Sequence, residues 1–186
     1  MIEIRINGRG GQGAVVASKV MASAFFKQGK WVQAFPSFGA ERRGAPVAAY
    51  TRVDDQEITL RCSVRTPDHV IILDQNLTRN PDITQGLKEG GWIVINSEKD
   101  PKDFPLPHQF HVATVDASGI AIRYGLGSKS SPIVSTVILG AFAKATGLLK
   151  ISDVLEAIRE NVPVYIRENM AGAKEAYQRV GTERTA

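Results

Sequence analysis

The sequence has few of the residues and patterns from which metal sites and membrane spans are built. It contains one cysteine, Cys62, among 186 residues, so it cannot by itself supply the several thiolates or imidazoles of an iron–sulfur cluster or a structural zinc site. A lone cysteine is typical of a small core residue, and we expect Cys62 to be buried. No stretch approaches the roughly 20 apolar residues of a transmembrane helix. The amino terminus, MIEIRING, has the alternation of a strand and not the pattern of a signal peptide, so a cytoplasmic location is expected.

Charged residues are mixed along the chain rather than gathered in one segment. Lysine and arginine number 23, aspartate and glutamate number 19, and the formal net charge is +4. Because no run of five or six basic residues occurs, a nucleic-acid-binding tail is not indicated. Hydrophobic residues make up 43% and charged residues 23% of the chain, which is the composition of a globular protein. The length predicts a single domain over residues 1–186.

The order of apolar patterns predicts an α/β fold. We expect three layers, namely a mostly parallel sheet with helices on both faces, and an antiparallel hairpin in addition. In such folds ligands and partners meet the carboxyl ends of the strands. Strands are predicted at 2–6, 31–35, 69–73, 92–95 and 111–115, the hairpin at 47–53 and 57–61, and helices at about 12–28, 132–146, 153–162 and 166–180.

A glycine-rich turn follows the first predicted strand. Its sequence, GRGGQG, fits G-x-G-x-x-G and places bare backbone N–H groups at the start of a helix, where an anion is favoured. Three interpretations remain open: dinucleotide binding, contact with another anion or an acyl carrier, and simple packing of helix on sheet. Dinucleotide binding also requires an acid at the end of the second strand, and residues 32–35 read VQAF. Arg9 and Gln12 are the side chains expected to face a ligand. The candidate residues of this turn are Arg9, Gly10, Gly11, Gln12 and Gly13.

A second loop, between Pro36 and Pro46, carries adjacent arginines among small residues. Two arginines side by side need an acidic partner or an anion. One interpretation is an internal pair with the neighbouring glutamate. The other, which we favour, is recognition of a partner subunit or a phosphate, because the loop is predicted to lie beside the glycine turn at the strand carboxyl ends. The candidate residues of this loop are Glu41, Arg42, Arg43 and Gly44.

Other polar residues have simpler interpretations. Asp74 and Asp116 follow predicted strands, where functional carboxylates occur, but both are also well placed to cap the next helix, and we predict capping. His108 and His111 have an H-x-x-H spacing without a third ligand nearby, so zinc is not predicted.

Four blocks of the sequence resemble one family. GRGGQGAVVAS at 8–18 and FPSFGAERRGAPVAAYTRV at 35–53 are similar to the gamma subunit, or the corresponding internal domain, of pyruvate and other 2-oxoacid:ferredoxin oxidoreductases. VIILDQNL at 70–77 and SPIVSTVILGAFAKATGLL at 131–149 are similar to later blocks of that family. The resemblance extends from Ile2 to about Val180. One departure is Ser135, which stands where the resemblance leads us to expect asparagine.

The resemblance implies a subunit of an enzyme that converts a 2-oxoacid, with pyruvate expected, CoA and oxidised ferredoxin into acyl-CoA, CO2 and reduced ferredoxin. It implies thiamine diphosphate and iron–sulfur clusters on alpha, beta and delta-type partner subunits, and no cofactor bound by this chain alone. This chain would contribute to assembly and to the CoA and active-site cleft, without a catalytic residue of its own and without nucleic-acid or membrane contacts. The alternatives are a subunit of a related indolepyruvate or 2-oxoisovalerate oxidoreductase and a free-standing Rossmann-type dinucleotide-binding protein.

Overall fold

The computed structural model describes residues 1–37 and 46–183, in which strands and helices alternate as predicted. The strands are β1 (Ile2–Arg9), β2 (Trp31–Pro36), β3 (Pro46–Asp54), β4 (His69–Ile72), β5 (Trp92–Asn96), β6 (His111–Val115), β7 (Gly127–Ser128), β8 (Ser131–Pro132) and β9 (Gly181–Glu183). The α-helices are α1 (Ala14–Lys27), α2 (Ala117–Arg123), α3 (Val137–Thr146), α4 (Ile151–Asn161) and α5 (Ile166–Arg179). Short 3-10 helices cover Gln75–Arg79, Pro81–Thr84 and Pro101–Asp103.

Seven strands form one mixed sheet in the order β2-β3-β1-β4-β5-β6-β9. The adjacent strands β1, β4, β5 and β6 run parallel to one another. Strand β3 is antiparallel to both β1 and β2, and β9 is antiparallel to β6. Strand β2 therefore runs in the direction of β1. As a result β1, β2, β4, β5 and β6 all end, and β3 begins, at the same side of the sheet, which we call the carboxyl edge. The predicted α/β fold is confirmed, with a parallel core of β1, β4, β5 and β6 inside a mixed sheet.

The two faces of the sheet are covered differently. One face packs against all five α-helices, through strand residues such as Ile4, Ile6 and Val94. The other face of β4–β6 packs, through Ile72 and Ile93, against the 3-10 helices and adjoining loops. Burial on both faces explains why these central strands read as nearly continuous apolar runs. In the part of the chain that the structure describes, no helix is both long and apolar enough to cross a bilayer.

The predicted hairpin between 47–53 and 57–61 is wrong in its second half. Residues 57–61 are irregular, because β3 is already paired along one side with β1 and along the other with β2 and has no free edge to offer. The chain is held against the sheet face instead: Gln33 Nε2 donates to the Ile58 carbonyl at 2.9 Å. A two-stranded antiparallel hairpin does occur, but it is formed by β7 and β8.

Two further predictions are corrected. Ser131 and Pro132 do not begin a helix but form β8, and α3 starts only at Val137, although it ends at Gly147 as predicted. Cys62 is exposed rather than buried, because residues 57–63 run over the sheet surface and not through the core.

Helices α3 and α5 lie in close parallel contact, and this contact brings their amino termini to the carboxyl edge. A Cβ added at Gly140 would overlap the carbonyl group of Ala173, so the two backbones approach each other closely at this point. Near the start of both helices, Thr136 Oγ1 donates to Asn169 Oδ1 at 2.5 Å. The residue before Thr136 lies against Gly13, at the start of α1. Helices α1, α3 and α5 therefore all begin at one side of the molecule.

Candidate functional site

The glycine turn lies at the carboxyl edge between β1 and α1, as predicted. Gln12 N donates to Arg9 O at 3.0 Å, which closes the turn. Gly11 and Gly13 have φ values of 98° and 82°, in the left-handed region that favours glycine. A Cβ at Gly13 would lie 2.9 Å from Ser135 Cβ, whereas one at Gly11 would meet open space. Gly13 is therefore needed both for the turn and for the contact between α1 and the segment before α3.

The side chains of Arg9 and Gln12 both have partners inside the protein. Gln12 Oε1 accepts from Arg9 N at 2.7 Å, so this amide folds back on its own turn. Arg9 Nε lies 2.5 Å from Asp74 Oδ2, in an ion pair that joins the ends of β1 and β4. Partial burial raises the pKa of Asp74, whereas hydrogen bonds from Arg9 and Asn76 lower it. The lowering is the larger of the two effects, so the pKa of Asp74 lies below its ordinary value. The ion pair holds the glycine turn against the neighbouring strand.

Both aspartates at strand ends cap the following helix, as predicted. Asp74 Oδ1 accepts from Asn76 N at 2.9 Å, and Asp116 Oδ1 accepts from Gly119 N at 2.7 Å. Their carboxylates are thus occupied by backbone donors, which are the groups that a capping aspartate is expected to satisfy.

A cleft of about 460 Å³ opens between the ends of β1, β4, β5 and β6. Its wall is organised by Asn96, a buried residue that the sequence interpretation missed. Asn96 Nδ2 donates to Leu73 O and to Ser118 Oγ, both at 2.9 Å, and Oδ1 accepts from Ser118 N at 3.0 Å. The signal available in the sequence was an asparagine at the end of an otherwise apolar strand, WIVIN. Asn96 ties β4 and β5 to the first turn of α2.

The amino termini of α1, α3 and α5 place partial positive charges on the helical side of the carboxyl edge. Among the described residues, no side chain caps these helices at Gly13, Thr136 or Tyr165. Unpaired N–H groups and the helix dipole together amount to about half a positive charge at each terminus. Only α5 has an acid in its first turn, Glu168. An anion is therefore favoured at these three termini.

The candidate residues Glu41, Arg42, Arg43 and Gly44 lie outside the described residues. The loop that carries them leaves β2 and enters β3 at the carboxyl edge. At its two ends Ser37 N donates to Ala48 O at 2.8 Å, and Pro46 lies opposite Arg9. The Pro46 end of the loop thus adjoins the glycine turn, and the Ser37 end lies one strand farther away, at the end of β2.

A larger cavity, of about 750 Å³, lies against the face of β2 and β3 that carries Tyr50 and Arg52. Beside it is a buried arginine that the sequence interpretation missed, Arg52, whose side chain is 1% exposed. Arg52 Nε pairs with Glu3 Oε1 at 2.8 Å, Nη2 donates to Cys62 O at 2.8 Å, and the guanidinium lies 5.1 Å from the Phe35 ring centre. These partners give Arg52 a structural role, holding residues 60–62 over the sheet.

The strand order bears on dinucleotide binding. In a dinucleotide fold, β2 lies directly beside β1 and its terminal acid reaches the ribose. Here β3 is inserted between β1 and β2, so the end of β2 is one strand farther from the glycine turn, and residues 32–35 carry no acid. Within residues 1–37 and 46–183, no three His, Cys, Asp or Glu residues are grouped so that they could hold a metal ion.

Comparison with known proteins agrees with this geometry. Residues 3–179 match the family "Pyruvate ferredoxin/flavodoxin oxidoreductase". The chain is 49% identical to the pyruvate/ketoisovalerate oxidoreductases common subunit gamma of Thermococcus kodakarensis, over 96% of this chain and 97% of that protein. It is 48% identical to the pyruvate synthase subunit PorC of Methanocaldococcus jannaschii, over 94% of each chain. The crystal structure of the pyruvate oxidoreductase subunit PORC of Thermotoga maritima superposes with a TM-score of 0.82 at 33% identity, over 98% of each chain. The chain therefore belongs to the pyruvate ferredoxin/flavodoxin oxidoreductase family, as one of its gamma-type subunits.

Proposed function

We propose that this gamma-type subunit completes a complex that oxidatively decarboxylates a 2-oxoacid, pyruvate first among them, to acyl-CoA and CO2 while reducing ferredoxin. The observation that carries the proposal is the 49% identity to a gamma subunit over nearly the full length of both chains. The match covers 96% of this chain and 97% of that subunit, so it supports a role for the whole chain and not for one segment of it. Alpha, beta and delta-type subunits are the partners that we infer.

The donor set of this chain does not fit a redox centre. A four-cysteine cluster requires four thiolates, and the sequence has one cysteine, which lies on the surface. We therefore assign thiamine diphosphate and the iron–sulfur clusters to the partner subunits, and no step of the reaction to a catalytic residue of this chain.

The contribution that we infer for this chain is a wall of the cleft through which CoA reaches the thiamine-bearing subunits. CoA carries phosphate groups, and the carboxyl edge offers three helix amino termini that no described side chain caps. Pro46, where the segment after the loop with Arg42 and Arg43 enters β3, lies opposite Arg9 of the glycine turn, and this supports the inference that the loop and the turn act together. We infer that the two arginines neutralise either an acid of the partner subunit or a phosphate of CoA.

The double substitution Arg42→Ala with Arg43→Ala tests this assignment. The domain should stay folded, because neither arginine belongs to a periodic apolar face. We expect either a higher apparent KM for CoA or weaker assembly, by about 2–5 kcal/mol if a charge pair is truncated at a buried interface. Arg159→Ala, at an exposed arginine on α4, is the matched control. A double variant that assembles normally with unchanged CoA dependence would show that the loop has only a structural role.

Purification of the native complex tests the function as a whole. We expect oxidoreductase subunits and iron to accompany the tagged gamma chain, while the chain alone should be colourless and inactive on pyruvate. A stoichiometric iron–sulfur cluster on the isolated chain would contradict the proposal.

A second candidate is that one gamma chain serves two enzymes. The relative from Thermococcus kodakarensis is described as common to pyruvate and ketoisovalerate oxidoreductases, which favours this candidate. If it holds here, the tagged chain should purify with two sets of thiamine-bearing subunits, and the preparation should oxidise both pyruvate and 2-oxoisovalerate. A single set of partners and activity on pyruvate alone would exclude it.

A further inference from the structure

The helical side of the carboxyl edge exposes large apolar side chains that have no role in the site described above. They lie in the first turn of α1, just before α3 and just before α5, and we call them the apolar patch. Large apolar side chains are normally withdrawn from water unless another surface covers them. The members of the patch, with their exposed fractions, are Val16 (43%), Ile133 (43%), Val164 (59%) and Tyr165 (61%).

Contacts along the edge bring together the segments that carry these residues. Ser135, two residues after Ile133, touches Gly13 at the start of α1, the helix that carries Val16. The hydrogen bond between Thr136 and Asn169 sets the start of α5 beside the start of α3.

The segment that carries Val164 and Tyr165 is also attached to α1, the helix that carries Val16. Val16 and Ser23 lie seven residues apart and therefore on one face of this helix. Ser23 Oγ accepts from Asn161 Nδ2 at 3.0 Å. The segment that runs from Asn161 to Val164 and Tyr165 thus begins against the same helix face.

The backbone at Tyr165 is held in a conformation that presents its side chain to solvent. Tyr165 has φ 51°, and within residues 1–37 and 46–183 it is the only non-glycine residue with positive φ. Such strain persists only where surrounding contacts maintain it, and it concentrates at functional positions. Here the contacts come from the buried Asn169, whose Nδ2 donates to Tyr165 O at 2.8 Å and whose backbone N donates to the same oxygen at 2.9 Å. The fold therefore maintains a strained turn whose two apolar side chains remain exposed.

Basic side chains border the patch. Lys19 lies one turn after Val16, Lys129 is in the β7–β8 turn, and Arg167 is in the first turn of α5; all three are exposed. Within the described ranges none of the three forms an ion pair. The acid on the same turn of α5, Glu168, is half-buried. The edge thus combines apolar side chains with a positive rim.

We propose that the apolar patch and its basic rim form the docking surface for a partner subunit of the same complex, one that presents apolar side chains bordered by carboxylates. The inference rests on the proposed function, since it takes the partner from that complex. The positive rim selects an acidic partner surface. It also disfavours a second copy of this chain, because a two-fold interface would bring the positive rim of one copy, with Lys19, Lys129 and Arg167, against the same positive rim of the other. The patch is continuous with the glycine turn, so one partner can cover both.

The test uses the complex reconstituted from purified subunits. The triple variant Ile133→Ser, Val164→Ser, Tyr165→Asn removes three of the four apolar side chains and keeps a residue that tolerates positive φ at position 165. We expect the dissociation constant for assembly to rise about tenfold or more, with an unchanged melting temperature for the free chain. Replacing Lys19, Lys129 and Arg167 by Gln should slow association and flatten its dependence on salt.

The matched control is Phe26→Ser. Phe26 is 69% exposed but lies ten residues, about 15 Å, farther along α1 from Val16, so its replacement should leave assembly unchanged. If the triple variant fails to fold, Tyr165→Gly, which relieves the strain and removes the ring, tests the same contact alone.

The outcomes separate this proposal from the proposed function. If the unmodified chain binds no oxidoreductase subunit, the proposed function is wrong. If it binds them and the triple variant binds equally well, the docking surface is wrong and the proposed function stands. If the isolated chain forms a dimer that the triple variant loses, a second copy covers the patch and the docking proposal is overturned.

Discussion

Replacing Gly140 by alanine should destabilise the protein, although the same change in an open helix would stabilise it. Alanine is favoured over glycine in a helix interior by about 1 kcal/mol. At Gly140 the new Cβ would overlap the Ala173 carbonyl oxygen and lie 2.7 Å from the carbonyl carbon and 3.1 Å from Tyr177 N. Because these atoms belong to the backbone of α5, they cannot turn aside, and α3 and α5 must separate by roughly 1 Å to restore normal carbon–carbon distances.

The expected cost follows from overpacking. Inserting a methyl group into a closely packed contact typically costs about 1–3 kcal/mol, and here the obstacle is a helix backbone, which favours the upper part of that range. After the gain in helix propensity, we expect a net loss of about 1–2 kcal/mol in the free energy of unfolding. For a chain of this size that corresponds to a melting temperature lower by roughly 2–8 °C. Urea and thermal unfolding of the purified chain measure both quantities.

Gly172→Ala is the matched control, since it lies on the facing helix and has the same change in propensity. Its Cβ would lie 3.0 Å from Val137 Cγ2, a side-chain methyl that can shift. We expect its stability to stay within about 1 kcal/mol of the unmodified chain. If Gly140→Ala proved as stable as Gly172→Ala or more so, the close approach of α3 and α5 would be refuted, and with it the reason why their amino termini share one edge.

Three further predictions concern pH, the glycine turn and ligand choice. Burial lowers the pKa of His69 from 6.5 to about 4, and its Nδ1 accepts a hydrogen bond from Trp92 N at 3.1 Å. Between these two pH values His69 is protonated in the unfolded chain but neutral in the folded chain. The contribution of His69 to the free energy of unfolding is therefore complete above pH 6.5 and should fall by about 3 kcal/mol as the pH drops to 4. Urea unfolding at several pH values should show this slope, and His69→Asn, which keeps an acceptor for Trp92, should flatten it; an equal slope in both proteins would contradict the assignment. Gly13→Ala should cost more stability than Gly29→Ala, because both residues have positive φ but only Gly13 also meets Ser135; the difference should be about 1–2 kcal/mol by thermal unfolding. Calorimetry should detect no micromolar NAD or NADP binding, because β3 separates β2 from the glycine turn; tight binding would restore the dinucleotide interpretation.

Local patterns in the sequence determined most of the elements. Alternating or continuous apolar residues predicted β1, β4, β5 and β6, and glycine predicted the turn before α1 and the end of α3. Asp74 and Asp116 were predicted as caps and are caps. Such signals act within a few residues of the chain, through hydrogen bonds and side-chain spacing that the neighbouring sequence already contains. They also carried the family resemblance, which the comparisons confirm.

Tertiary structure decided how those elements combine. The place of β3 between β1 and β2 depends on pairing between residues more than 35 positions apart, such as Gly8 and Val47, and no local pattern specifies it. The same pairing removed the free edge that the predicted hairpin needed. The burial of Arg52, the exposure of Cys62 and the gathering of three helix amino termini at one edge arise likewise from contacts between distant segments. The periodicity of a segment indicates that one of its faces is buried, but only the assembled fold determines what covers that face, because the partner is supplied by another part of the chain.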